Sequence, residues 1–146
     1  SNRDAHINGL EMALERRLEA GWSVYGNLTY YHGVDLELME PLSRIPPTQG
    51  IVGMRWRDFC GTYIDGYLWL VRRADRLNFQ DVTDRRIPNG GTPGYGTLNV
   101  RAGRWISSFE RVSLWVENLT DRAYRVHGSG VDGPGASVHL GYELSY

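Results

Sequence analysis

The last stretch of the chain alternates between apolar side chains and polar or small ones without a break. From Ala136 to Tyr146 every even position is apolar and every odd position is polar or glycine. A period of two residues is typical of a β-strand with two unlike faces. The stretch has the length at which a tilted strand crosses a bilayer. We therefore expect a strand over residues 136–146, with one face in lipid and an aromatic residue at its end.

The same two-residue period recurs in six earlier stretches, which gives seven predicted strands. The stretch at 5–16 runs into good helix formers, so a helix there stays open as an alternative. In the fourth stretch Trp69 and Val71 fall on the phase that carries Tyr63, Asp65 and Tyr67, which we expect to be the polar phase. The six stretches are residues 5–16, 22–32, 48–57, 62–72, 95–105 and 111–119.

The connections between these strands alternate strictly between short and long. Short ones lie at 17–21, 58–61 and 106–110, and long ones at 33–47, 73–94 and 120–135. An up-and-down transmembrane barrel has this asymmetry, with short periplasmic turns and long extracellular loops. The prolines at 33–47 argue against ladder hydrogen bonds there. Residues 73–94 are too long and too polar for a packed connection, which predicts a functional or mobile loop.

Tryptophans mark one end of the predicted strands. Trp22, Trp56 and Trp105 lie beside the short turns, at the same end as Tyr146. Aromatic side chains at a membrane–water boundary form a girdle, because the ring is apolar and its polar atom stays hydrated. The alternative is the ordinary core tryptophan of a β-sandwich. Trp105 stands on the polar phase, so the girdle requires a bulge or a register slip at that end.

Composition narrows the function without naming it. The net charge is −1, which gives no basic footprint for nucleic acid. No apolar run reaches about 18 residues, so a membrane-spanning helix is excluded. Cys60 is the single cysteine, so no intrachain disulfide forms, and we expect it to be a small turn residue. The first residues lack the apolar core of a signal peptide, and the strands favour a mature piece over a cytosolic protein.

Several segments resemble one known family. Residues 117–124, ENLTDRAY, resemble the E-N-L-x-D-x-x-Y signature near the end of TonB-dependent outer-membrane receptors, and segments at 44–50, 86–95 and 124–135 resemble forms found in the same family. The closing H-x-G-x-x-L-x-Y is similar to the C-terminal signal read by the barrel-assembly machinery. The resemblance covers residues 5–146. It places the family motif on Glu117, Asn118, Leu119, Asp121 and Tyr124, and the assembly signal on His139, Gly141, Leu144 and Tyr146.

The resemblance implies a fold and a set of partners. Such receptors close about 22 strands around a plug. We therefore expect residues 1–146 to be the C-terminal segment of an all-β, antiparallel up-and-down transmembrane β-barrel, with the plug and the earlier strands absent. The implied partners are outer-membrane lipid, the assembly machinery, the TonB complex through the plug, and a small-molecule or metal-chelate ligand. The implied function is energised uptake of a scarce ligand (ferric siderophore, haem or cobalamin) across a Gram-negative outer membrane, with no resident cofactor or metal.

The longest loop supplies the candidate ligand contacts. Its arginines would favour an anionic ligand, although they also suit water or lipid headgroups. His127, in the loop at 120–135, is a candidate haem ligand, and the alternative is that glycines shape this loop. Three aspartates of the longest loop suit Ca²⁺, but their spacing is not that of an EF-hand. Pairing of these aspartates with arginine is the alternative. The loop candidates are Arg72, Arg73, Arg76, Arg85, Arg86 and His127, and the aspartates are Asp75, Asp81 and Asp84.

Two other classes of protein share parts of this pattern. A small outer-membrane hydrolase would use His127, Ser129 and Glu143 as a triad. At about 3.3 Å per residue, Glu143 lies more than roughly 20 Å from the loop, which opposes this reading. A soluble lipocalin-like barrel would bury the apolar phase inside and would lack a girdle. We expect no enzyme activity, and we expect the chain alone to be unstable in water.

Overall fold

The computed structural model describes residues 4–146 and consists of a single antiparallel sheet. The sheet follows the order of the chain, β1-β2-β4-β5-β6-β7-β8, and the short β3 pairs with β2 beside this path. Within the described residues β1 and β8 are the two edges, so the sheet is open. The strands are β1 (Ala5–Arg17), β2 (Trp22–Asp35), β3 (Glu40–Pro41), β4 (Gln49–Arg57), β5 (Tyr63–Val71), β6 (Tyr95–Trp105), β7 (Glu110–Glu117) and β8 (Ser137–Leu144).

The predicted all-β, antiparallel up-and-down architecture is confirmed, with all seven predicted strands present. The helix alternative for the first stretch is wrong, because β1 pairs with β2 from Ala5↔Asp35 to Arg17↔Ser23. Cross-strand pairing overrides the helix propensity of single residues. The last strand, β8, is shorter than the predicted 136–146, and β2 continues to Asp35.

The loop after β2 contains a strand that the prolines argued against. β3 pairs with the end of β2 through Val34↔Pro41 and Asp35↔Glu40. Proline is tolerated there because β3 has a strand on one side only, so its missing N–H removes no second ladder. The Leu42 N–H then donates to the Gly33 carbonyl at 3.1 Å, which closes this small hairpin.

The sheet has two unlike faces. Because the register is continuous, Asp65 of β5 lies opposite Arg55 of β4 and Arg101 of β6, and the odd-numbered residues from β2 onward share what we call the polar face. The even-numbered residues form the apolar face, which includes Leu140 at 85% and Leu14 at 76% exposure. A whole sheet face of exposed large apolar side chains is unusual for a soluble monomer. This face therefore requires an apolar environment that the chain does not supply.

Trp105 corrects the predicted girdle. The pairing of β6 with β7 is unbroken from Val100↔Val116 to Trp105↔Arg111, so the bulge that the girdle required is absent. Trp105 lies on the polar face, where a Cβ added to Gly61 would meet its ring at 2.6 Å. Trp22 and Trp56 do lie on the apolar face, paired with each other across β2 and β4.

Tyrosines on the polar face lie flat over glycines of the neighbouring strand. Tyr25 is directly opposite Gly53, and Tyr63 is directly opposite Gly103. A Cβ at either glycine would lie 2.5 Å from the facing ring, so a larger residue would displace that ring. The flat rings cover the backbone of the sheet, and this arrangement also places the Tyr25 hydroxyl 2.6 Å from a carboxylate oxygen of Asp65, to which it donates.

The connection over 72–94 is packed, which contradicts the expectation drawn from its length and polarity. It contains a short helix, α1 (Phe79–Thr83), and it buries Ile87, Thr92 and Asp81. The buried polar side chains of this loop, Asp81 and Thr92, are hydrogen-bonded to neighbouring loops, and this allows a polar segment to pack.

No helix in the described part of the chain is both long and apolar enough to span a bilayer.

Replacement of Gly53 tests the packing of the polar face. We expect Gly53→Ala to lower the free energy of unfolding by about 1–3 kcal/mol, because the added methyl displaces the Tyr25 ring. The measurement is denaturant unfolding of the full-length protein in detergent. Gly66→Ala on β5 is the matched control, since a Cβ there meets nothing within 4 Å. Equal effects of the two substitutions would contradict this packing.

Candidate functional site

Three long loops pack together at the end of the sheet opposite the short turns. We name them loop A (residues 36–48), loop B (72–94) and loop C (118–136). Loop B lies in contact with both of the others through side-chain hydrogen bonds. The three loops together form what we call the loop layer, and all the candidate ligand contacts lie in it.

Asp81 joins loop B to loop A. It is 1% exposed, and its carboxylate accepts from the Ser43 hydroxyl at 2.8 Å and from the Arg44 N–H at 3.2 Å. The same carboxylate and the Asn78 side chain form a capping box at the start of α1. A buried carboxylate is stable here because its oxygens accept several hydrogen bonds. Asp81 therefore fixes the relative position of the two loops.

An ion-pair cluster lies beside this junction. The Asp84 carboxylate accepts from the Arg86 guanidinium at 2.6 Å, and Arg44 approaches it at 3.6 Å. The Arg86 hydrogen bonds hold the pKa of Asp84 well below its usual range. Arg86 is thus neutralised inside the loop layer, as the pairing alternative for these residues proposed.

His127 joins loop C to loop B. Its Nδ1 lies 2.9 Å from the Thr92 hydroxyl oxygen. Thr92 is buried and pairs with Ala74 across the base of loop B. Between them Gly91 has φ of 98°, and a Cβ there would collide with the Ala74 carbonyl oxygen. Glycine is required at this position by both the backbone angle and the close approach.

Asn118 of the family motif closes loop C. Its side-chain amide donates to the Arg122 carbonyl at 2.9 Å and to the Pro134 carbonyl at 3.1 Å, and its oxygen accepts from the Arg122 N–H at 2.9 Å. Its own N–H donates to the Asn99 side chain at 3.0 Å. The φ of 50° is a left-handed angle that asparagine adopts more readily than most residues. The motif residue thus ties both ends of the loop to the sheet.

Two further motif residues continue this closure. Asp121 accepts from the Ala136 N–H at 2.9 Å, beside the start of β8. The Tyr124 ring lies 4.6 Å from the Tyr95 ring and 6.2 Å from the Trp69 ring, measured between centroids. Burial, and then the charge of Glu117, raise the pKa of the Tyr124 hydroxyl. This aromatic cluster explains why Trp69 stands on the polar phase, since it packs under loop C.

The remaining motif positions lie in the sheet or at its end. The Leu119 N–H donates to the Leu98 carbonyl at 2.8 Å, which extends the pairing of β6 with β7. Glu117 lies 3.8 Å from the His139 ring nitrogen of β8. The residues of the signature therefore end β7 and stabilise loop C up to the start of β8.

Four of the six predicted ligand contacts line one cavity. Arg72, Arg73, Arg76 and His127 surround a cavity of about 150 Å³ between the loops. The Arg73 guanidinium donates to the Gly90 carbonyl at 2.6 Å. Arg85 and Arg86 lie outside this cavity. Their role in ligand binding, like that of the other four, stays a prediction.

The other sequence candidates are separated by their partners. Asp81 and Asp84 are bonded within the loop layer, and no group of three or more metal-binding side chains occurs among residues 4–146. Of the triad candidates, the Ser129 hydroxyl donates to the Val131 carbonyl at 2.7 Å, and Glu143 lies 3.9 Å from Arg111. His127, Ser129 and Glu143 therefore form no triad.

The assembly-signal residues lie on both faces of β8 and beyond its end. Gly141 faces Ser113, whose hydroxyl a Cβ would overlap, while Leu144 is exposed on the apolar face. Tyr146 is fully exposed. Their role in assembly stays a prediction.

Sequence reasoning missed the residues that hold the loops together. Asn78 and Asp81 have the spacing of a capping box, which was a readable signal. Ser43 and Thr92 carry no such signal, because their partners are 38 and 35 residues away in sequence.

The sheet is open and antiparallel, and it has one polar and one apolar face. Short turns lie at one end and packed loops at the other. These features define a segment of an up-and-down β-barrel wall. The family model described as "TonB dependent receptor-like, beta-barrel" matches residues 1–119, and the chain belongs to this family. The fold is similar to that of the copper transporter OprC, with a TM-score of 0.88 at 19% sequence identity. That match covers 100% of this chain and 24% of OprC, so the chain spans about a quarter of that protein's length. No protein with a curated description matches the chain in sequence.

Replacement of Asn118 tests the closure of loop C. We expect Asn118→Ala to raise the rate of tryptic cleavage after Arg122 and Arg125 at least tenfold in the folded protein, because three side-chain hydrogen bonds to the backbone of loop C are lost. Asn89→Ala is the control, since Asn89 is an exposed asparagine of loop B. Equal cleavage rates in the two variants would show that Asn118 does not hold the loop.

Proposed function

We propose that this chain forms the C-terminal part of the barrel domain of an outer-membrane TonB-dependent receptor that imports a scarce ligand. The plug and the earlier strands would belong to the same longer protein. The open edges at β1 and β8 and the 24% coverage of OprC support this assignment. The exposed apolar face then contacts outer-membrane lipid, and the polar face lines the barrel interior.

One observation carries the proposal most directly, namely the cation-lined cavity in the loop layer above the polar face. Arg72 and Arg76 form no ion pair or hydrogen bond with any other described side chain, and Asp75 is the only acidic residue lining the cavity. An excess of guanidinium groups attracts anions and binds carboxylates or phosphates through paired N–H donors. The loop layer therefore fits an anionic ligand that enters from outside.

The loop arginines favour an anionic cargo without identifying it. Ferric siderophores, haem and cobalamin are the classes we propose for testing, and copper joins them because the similar OprC is described as a copper transporter. A haem role for His127 would have to use the ring nitrogen that Thr92 leaves free. Anionic chelates fit the arginines best.

The proposed partners follow from the same assignment. The TonB complex would act through the plug region, and the barrel-assembly machinery would read His139, Gly141, Leu144 and Tyr146. The full exposure of Tyr146 at the end of β8 leaves it accessible for such recognition.

A growth assay tests the function. Cells that lack the receptor gene are complemented with the intact receptor and supplied with one scarce nutrient at a time: ferric siderophore, haem, cobalamin or copper. We expect rescue by one of them, and we expect this rescue to be lost in a TonB-deficient strain.

The variant R72Q/R73Q/R76Q should weaken ligand affinity at least tenfold at low salt, because the anion loses its cationic contacts. Arg85→Gln, outside the cavity, is the control, and rescue that is independent of TonB would overturn the proposal.

A further inference from the structure

A second cationic cavity lies on the polar face, near the short turns and away from the loop layer. It has a volume of about 390 Å³ and lies between β4 and β7. We call it the arginine pocket, because four arginines line it, together with two carboxylates and three aromatic rings. The arginines are Arg55, Arg57, Arg101 and Arg111.

Both carboxylates of the pocket already have hydrogen-bond partners. Asp65 accepts from Arg55 through Nε at 3.0 Å and Nη2 at 2.8 Å, and from the Tyr25 hydroxyl at 2.6 Å. Asp58 accepts from the N–H groups of its own turn, at Cys60 and Thr62. Asp65 is thus satisfied at both oxygens and neutralises Arg55, while one oxygen of Asp58 is bound by its own turn.

The other three guanidinium groups keep an excess of positive charge. Arg57 has no side-chain partner among the described residues, and Arg101 donates to the Tyr67 hydroxyl alone, at 2.9 Å. Arg111 lies 3.9 Å from the exposed carboxylate of Glu143, at the limit of an ion pair. Its buried Nε is without a hydrogen-bond partner in residues 4–146. A buried N–H that is left unpaired is unfavourable, which favours an added hydrogen-bond acceptor at this guanidinium.

Aromatic rings hold two of these arginines in place. The Arg111 guanidinium lies 5.3 Å from the Tyr63 ring centroid and 5.9 Å from that of Trp105, and Arg101 lies 5.0 Å from the Tyr67 centroid. Stacking fixes the plane of the guanidinium and leaves its edge N–H groups for an acceptor. Tyr63 itself is held flat over Gly103, so this arrangement is set by the sheet.

We propose that the arginine pocket is a carboxylate-binding site in the barrel interior, with Arg101 and Arg111 as its main contacts. A planar carboxylate matches the paired N–H donors of a guanidinium better than a spherical anion does. Two sources offer this chemistry: an acidic side chain of polypeptide that fills the barrel, or a carboxylate of a solute in transit. The inference rests on the proposed function only in that the polar face lines the interior.

The test uses the purified intact receptor in detergent and benzoate as the probe, because benzoate pairs a carboxylate with a ring. Benzamide is the uncharged probe of the same shape. The variant R101Q/R111Q removes the charge, and R101K/R111K retains it if the glutamine variant fails to insert. Arg104→Gln is the matched control, since Arg104 lies on β6 between these positions but on the apolar face. The measurements are calorimetric titration, the thermal midpoint and passive permeability of reconstituted vesicles.

Two results support the site and identify its source. If a solute carboxylate is bound, benzoate but not benzamide binds the native receptor, and R101Q/R111Q weakens it at least tenfold. If a polypeptide carboxylate fills the pocket, benzoate does not bind, but R101Q/R111Q lowers the thermal midpoint and raises permeability at least threefold while Arg104→Gln does neither. In either case the lysine variant loses less than the glutamine variant.

Absence of both results would overturn the site. That is the outcome in which benzoate does not bind and R101Q/R111Q matches Arg104→Gln in midpoint and permeability. TonB-dependent growth tests the proposed function separately. If the arginine pocket binds no carboxylate, the proposed function is unaffected. If uptake fails, the binding of benzoate can still be interpreted.

Discussion

Continuous register between neighbouring strands is the constraint on which the rest of this structure depends. Because side chains alternate across a strand, one slipped residue would exchange the two faces. The ladders from β1 to β8 contain no such slip, so every arginine and tyrosine of the polar face stays on one side. The apolar side can then face lipid while the backbone groups between neighbouring strands are hydrogen-bonded within the sheet, a combination that transmembrane strands require.

The loop layer is stabilised by a different kind of interaction. Few apolar side chains are buried there, and the loops are instead joined by buried polar groups, chiefly Asp81, Thr92 and Asn118. Each of these groups bonds to residues of another loop or to both ends of its own. Such networks fix one conformation when every member is satisfied. The cavity between the loops is therefore a consequence of polar packing between loops that are distant in sequence.

The sequence was sufficient for the seven long strands and insufficient for the short β3 and for the contacts between loops. A two-residue period is a local property, so β6 could be bounded correctly at Tyr95–Trp105 before any pairing was known. The family motif could be recognised, but the hydrogen bonds of Asn118 depend on Pro134, across the whole of loop C. Strict alternation placed Trp105 on the polar phase correctly, and the bulge that would have moved it to the girdle is absent. The arginine pocket is formed by strands β4 to β7 together, so no single stretch of the sequence predicts it.

The central claim is that even-numbered residues face lipid and odd-numbered residues face the barrel interior. Single cysteines at positions 97 to 102 of β6, in the intact receptor with Cys60 replaced by serine, can carry spin labels in lipid vesicles. Oxygen concentrates in the acyl chains, so we expect high oxygen collision rates at Leu98, Val100 and Ala102 and low rates at Thr97 and Asn99. A uniform profile, or one with the opposite phase, would contradict the account.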